Sequence, residues 1–145
     1  MTASIILNKD DDWETPNQPY NEAIAEYRIF PKLDVCATRE NRKCLDFFTK
    51  EQDGLKQEWK QDFFMNPPYS DVGNWIYKAW TQWKKWNVNG LCLVFSKTDT
   101  KWWHQYVEGQ AEVHFIKGRL RFCKDGISGK DPAPYPSCWI IWRRR

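Results

Sequence analysis

The sequence has no Cys-x-x-Cys pair, and neither of its two histidines, His104 and His114, has a neighbour at ligand spacing. A metal site is therefore not expected. Five cysteines (Cys36, Cys44, Cys92, Cys123, Cys138) are odd in number and scattered, which argues against a disulfide framework and for small core thiols in a reducing compartment. No apolar run approaches the length of a membrane span, and the one in MTASIILNKDDD is too short for a signal peptide. The expectation is a soluble cytoplasmic protein with no membrane partner. Nor does one charge dominate: 22 basic and 19 acidic residues leave +3, a mild excess that only weakly favours a nucleic-acid partner. There is no internal repeat.

What the chain has in abundance is aromatic residues, 17% of 145, with ten Trp. Rings of this size bury large areas, so most should serve a core. The length suits one domain, residues 13–145, behind a flexible arm at 1–12 that ends in Asp10-Asp11-Asp12. Thr15-Pro16 reads as a helix start, Thr as cap and Pro in the first turn, with Tyr20, Ile24 and Tyr27 at helical spacing. Leu33–Ala37 and Phe63–Met65 read as short strands, with 38–60 irregular between them. From Asp71 to Trp86 a helix sets Trp75, Ile76, Ala79, Trp80 and Trp83 on one face. Gly90–Ser96 is a continuous apolar run, as in a strand covered on both sides. Thr98–Val107 predicts a helix capped by Thr98 or Asp99, and Val113–Ile116, Leu120–Phe122 and Cys138–Trp142 predict strands. Residues 125–136 form a Gly/Pro-rich loop, expected to be mobile. This alternation predicts an open, mostly parallel α/β sheet with a C-terminal antiparallel hairpin. Ligands bind outside the carboxyl ends of such strands, where Asp34 and Asn66 would both lie.

Asn66-Pro67-Pro68-Tyr69 follows a strand and precedes a helix. A strand stopped by two prolines, with Tyr69 in the core, would also produce that string. Its chemistry suits the methylation of a planar NH₂, however. The lone pair of such a nitrogen is delocalised and must be localised toward the methyl donor. Two acceptors holding the N–H bonds in a tetrahedral arrangement do this without a strong base, and an Asn oxygen with a backbone carbonyl can supply them. Proline stiffens that backbone and removes a competing donor. Tyr69 offers a ring for a planar base. The rate then comes from orientation and preorganised dipoles.

The chain resembles the phage-type, Dam-like DNA N6-adenine methyltransferase family. The resemblance is carried in order by Trp13-Glu14-Thr15-Pro16, Leu33-Asp34-Val35-Cys36-Ala37, Asn41-x-x-Cys44, Phe48-Thr49, Asp53-Gly54-Leu55 with Trp59, and Asn66-Pro67-Pro68-Tyr69-Ser70. It continues through Thr98-Asp99-Thr100 with Trp102, Gly118-Arg119-Leu120-Arg121-Phe122, and Ala133-Pro134-x-Pro136-Ser137. It implies a Rossmann-like methyltransferase domain over 13–145 that uses S-adenosyl-L-methionine to methylate adenine N6 in DNA, with base flipping. If phage- or prophage-encoded, it would act in the host cytoplasm. The catalytic motif would be Asn66, Pro67, Pro68 and Tyr69. Cofactor binding would fall to Thr15, Pro16, Asp34, Cys36, Ala37 and Asp53. Substrate binding would fall to Ser70, Arg119, Arg121, Phe122 and Lys124, with Phe122 facing the flipped base opposite Tyr69. No glycine-rich turn follows Asp34, a departure from the usual first cofactor motif that the resembled family shares.

Three other readings compete with this one. Protein glutamine or RNA guanine poses the same planar-nitrogen problem, and a basic, aromatic-rich module could bind nucleic acid without catalysis. Asp53 before Gly54 is also a common turn signal, and basic residues 117–124 also suit a solvated face. So short a chain leaves little room for target recognition, so specificity is relaxed or requires a homodimer.

Overall fold

The computed structural model describes residues 13–124, the backbone of 127–128, and residues 132–145. The expected arm, 1–12, lies outside the described residues, as do 125, 126 and 129–131 of the expected loop. The chain forms α1 (Asn17–Tyr27), β1 (Leu33–Asp34), β2 (Asp46–Phe47), β3 (Phe63–Met65), α2 (Val72–Trp86) and β4 (Gly90–Phe95). Then come β5 (Glu112–Phe115), the short pair β6 (Cys123–Lys124) and β7 (Ile127–Ser128), and β8 (Ser137–Trp142). Six strands make one sheet in the order β2-β1-β3-β4-β8-β5. The first four are mutually parallel, while β8 inserts between β4 and β5, antiparallel to both.

Side-chain alternation along the central strands explains their unbroken apolar runs. Cys92 and Val94 of β4, with Ile140 and Trp142 of β8, face the layer of α2, where Trp75, Ile76, Ala79 and Trp83 are buried. Leu91, Leu93 and Phe95, with Trp139 and Ile141, face the layer of α1, which buries Tyr20 and Ala23. Both sheet faces are covered, so neither parity is free to be polar. The tryptophans also fasten the layers together: Trp59 Nε1 donates to the Gly54 carbonyl at 2.9 Å, and Trp142 Nε1 to the Tyr106 carbonyl at 3.1 Å.

Local details differ from the sequence expectations for identifiable reasons. Helix α1 begins at Asn17 with Pro16 in the cap position, and the Thr15 hydroxyl caps nothing. Strand β1 ends at Asp34 because that side chain accepts the Cys36 N–H at 3.3 Å, turning the chain aside. The segment expected to be irregular contributes β2, a two-residue strand held by its partner β1 rather than by a hydrophobic pattern. The helix expected over 98–107 is a short coil starting at residue 101, whose Trp103–Val107 part is a π turn. In its cap-like bond the Trp103 N–H donates to the Thr100 hydroxyl oxygen, not to Thr98 or Asp99. Residues 120–122 form no strand, and the short pairing falls at β6–β7, with only β7 inside the expected loop. Among the described residues no helix is long and apolar enough to cross a membrane, and no cluster of metal-ligating side chains occurs.

Candidate active site

The site is built at the carboxyl ends of β1 and β3, adjacent parallel strands in which Asp34 pairs with Phe64. Asn66-Pro67-Pro68 leaves β3 and turns through a 3₁₀ turn, Tyr69–Asp71, straight into α2. Pro68 sits at φ −60°, ψ 124°, the extended conformation its ring enforces. Its carbonyl accepts the Asp71 N–H at 3.1 Å, which opens the turn. The Pro67 carbonyl accepts no hydrogen bond among the described residues.

Asn66 is held from two sides. Its Nδ2 donates to the Trp13 carbonyl at 2.9 Å, and its Oδ1 accepts the Tyr69 hydroxyl at 3.2 Å. The bond to Trp13 fixes which end of the amide is nitrogen, so Oδ1 turns toward Tyr69. The Tyr69 ring is stacked on Phe95 (centroids 4.0 Å apart, planes at 21°), and burial pushes its phenol well above the ordinary range. Phe122, expected across a slot from Tyr69, is only 1% exposed and meets that ring edge-on at 6.3 Å. It supports Tyr69 from the core and presents no open face to a base. Ser70 lies in the 3₁₀ turn beside Tyr69.

Trp13 enters the site through its backbone. Glu14 forms a two-way bridge with Cys123, each N–H donating to the other's carbonyl at 2.9 Å, and the Trp13 ring packs edge-on to Phe122 at 5.6 Å. The segment carrying Thr15 and Pro16 is thereby fastened between Asn66 and β6. Thr15 is buried, and its hydroxyl has no hydrogen-bond partner among the described residues. The sequence reading assigned no role to Trp13 itself; its only signal is its place at the head of the Trp13–Pro16 motif.

Asp34 is 2% exposed. Its Oδ1 accepts the Cys36 N–H and its Oδ2 the Lys43 N–H at 3.0 Å, so the carboxylate gathers the 36–43 loop around itself. Burial outweighs those bonds and the Lys43 charge, pushing the carboxyl up to about 7. Lys43, another residue missed from sequence, donates to Asn17 Oδ1 at 2.6 Å and ties the loop to the start of α1. Ala37 donates to the Phe48 carbonyl at 3.0 Å. Asp53, at φ 56°, accepts the Leu55 N–H at 3.1 Å, and the next residue, Gly54, lies against β1's end. A Cβ on Gly54 would stand 2.3 Å from the Val35 carbonyl oxygen, so only glycine allows that approach. Burial, then Asp34 and Asp53, push the Cys36 thiol up to about 12. Both carboxylates therefore act on Cys36.

The basic residues divide. Arg119 bonds the carbonyls of Ala133 and Pro134, at 3.4 and 3.0 Å, bracing the segment before β8. Arg121 and Lys124 are exposed. A cavity of about 500 Å³ lies outside β2 and contains none of the expected site residues. A smaller one of about 40 Å³ adjoins Tyr69.

An open α/β sheet with Asn-Pro-Pro-Tyr at the end of β3, beside an acidic strand end on β1, defines a Rossmann-like methyltransferase. Comparison with known proteins narrows the class. The family model described as DNA N-6-adenine-methyltransferase (Dam) matches residues 3–145. A DNA N-6-adenine-methyltransferase of Haemophilus phage HP1 is 32% identical over 118 residues, covering 80% of this chain and 68% of that protein. One of Escherichia phage T1 is 29% identical over 118 residues, covering 80% of this chain and 49% of that protein. The chain belongs to the DNA N-6-adenine-methyltransferase (Dam) family.

Proposed function

We propose that this chain transfers the methyl group of S-adenosyl-L-methionine to the exocyclic N6 of an adenine that has been extruded from DNA. The observation that carries the reading is the orientation of Asn66, whose amide nitrogen is committed to Trp13 and whose oxygen points toward Tyr69. An incoming amine would find Oδ1 and the unengaged Pro67 carbonyl as its two acceptors. Holding both N–H bonds localises the nitrogen lone pair, and dipoles fixed beforehand cost little reorganisation during reaction. Tyr69 would share or yield its bond to Oδ1 as the amine arrives, keeping its ring against Phe95.

The residues present fit the cofactor. Its sulfonium and ammonium groups are cationic, which suits the acidic end of β1 formed by Asp34 and Asp53. The buried Thr15 hydroxyl, without a partner among the described residues, is a polar group able to bond a ligand. When bound, the cofactor supplies an electrophilic methyl group. Asp34 would shape the 36–43 loop around it, and Asp53 would offer a second carboxylate beside Cys36.

An adenine amine in a duplex is paired, so extrusion costs a few kcal/mol. Stacking on an aromatic ring returns about 1–3 kcal/mol per base. Tyr69, backed by Phe95 and Phe122, would provide that ring, with Arg121 and Lys124 on the flanking backbone. Such a reaction would belong to the host cytoplasm, and selection of a defined site would call for a homodimer or relaxed specificity. The test is transfer of labelled methyl from the cofactor to defined oligonucleotides, followed by nucleoside digestion. Label in N6-methyl-2′-deoxyadenosine supports the reading; label in cytosine, in RNA or in protein alone overturns it.

A further inference from the structure

Beside Tyr69 a second group of residues gathers for which the chemistry above has no use. Lys97 follows the end of β4 in a tight turn, its N–H bonding the Phe95 carbonyl at 2.8 Å. Its Nζ stands 3.5 Å from the centre of the Tyr135 ring. Among the described residues it has no carboxylate within ion-pair distance. Tyr135 is 46% exposed and lies 5.3 Å from Phe95, which in turn is stacked on Tyr69. Three rings thus run from the candidate catalytic tyrosine out to the surface, with a cation on the outermost.

This arrangement is braced. The Ser96 N–H donates to the Pro136 carbonyl at 2.9 Å, and Arg119 holds the Pro134 carbonyl at 3.0 Å, so both neighbours of Tyr135 are tied down. Trp102 forms the far wall of the small cavity, together with Tyr69, Val72, Phe95 and Lys97. It lies over Gly73, where even a Cβ would come within 3.4 Å of the indole.

A lysine with no acidic partner among the described residues, resting on an exposed ring at the mouth of the proposed base-methylating site, has the chemistry of a nucleotide clamp. Aromatic faces stack bases without regard to sequence, and cations follow the phosphates. We propose that Tyr135 stacks the base adjacent to the target adenine and that Lys97 leaves the ring to take the phosphate between them. This rests on the DNA-methylating reading and deepens it, since Lys97 and Tyr135 would hold the strand while Asn66 and Tyr69 handle the flipped base.

The test measures binding to an adenine-containing duplex, with an abasic position opposite the target, over a range of salt concentrations. Lys97→Gln should reduce the slope of log K against log salt by about 0.9, the value of one released counterion on duplex DNA. Lys97→Arg should restore it. Tyr135→Ala should weaken binding about tenfold, whereas Tyr135→Phe keeps the ring and should stay within twofold of wild type. Thermal melting of each variant monitors the fold, and affinity for S-adenosylmethionine should be unchanged in all four. An unchanged slope in folded Lys97→Gln, or equal loss in Tyr135→Ala and Tyr135→Phe, overturns the clamp. Wild-type protein that methylates no DNA overturns the underlying function instead, so the two failures are distinguishable.

Discussion

The hydroxyl of Tyr69 donates to Oδ1 of Asn66 across 3.2 Å, so the acceptor that the proposed reaction would offer an adenine amine is engaged before any base arrives. Tyr69→Phe removes the occupant and keeps the ring. A net hydrogen bond of this kind is worth about 1 kcal/mol. The variant should therefore melt slightly lower, bind target DNA as wild type does, and change turnover by less than tenfold. Steady-state kinetics with a duplex substrate would check this. Loss of a hundredfold or more would show that the phenol itself takes part in the reaction.

Asn66→Ala should lose about 10²–10³ in turnover, the usual cost of one preorganised dipole at the reacting atom. It also removes the anchor of the Trp13 carbonyl, which stability data alone would miss. The N–H groups of Glu14 and Cys123, bridged beside that anchor, should exchange with solvent faster in the variant. Single-turnover transfer and amide exchange measure the two effects separately.

Asp34 makes stability depend on pH. Its folded-state carboxyl is raised to about 7 by burial, above the ordinary carboxylate value. The folded chain therefore keeps a proton that the unfolded chain releases. The contribution is complete below about pH 4 and fades as pH rises through 7. Relative to Asp34→Asn, which cannot ionise, wild type should lose on the order of 5 °C in melting temperature between pH 4 and pH 8. Parallel melting curves across that range would contradict the burial argument.

Gly54→Ala places a methyl 2.3 Å from the Val35 carbonyl oxygen and about 3 Å from the Trp75 ring. Overpacking of this kind costs about 1–3 kcal/mol. The same displacement pushes Asp53 away from Cys36, so cofactor affinity measured by calorimetry should fall along with the melting temperature. A stability loss with unchanged affinity would remove Asp53 from the cofactor site.

Sequence alone determined the features that rest on local pattern. Helix α2 was legible because Trp75, Ile76, Ala79 and Trp83 recur at helical spacing, and β4 because a six-residue apolar run is strand length and suits a strand covered on both faces. The motif at Asn66 was legible because strand, double proline and helix are contiguous. Tertiary structure decided the rest. The Asp46–Phe47 pair became a strand only when β1 offered its edge, and 120–122 stayed out of a strand despite two apolar residues. Phe122 went under Tyr69, and Arg119 was turned from the expected DNA toward the carbonyls of residues 133 and 134. Trp13 reached Asn66 from 53 residues away. A periodic pattern reports which face of an element is buried. It carries no information about which distant carbonyl or ring will meet that face, because that choice is made by the packing of the whole sheet.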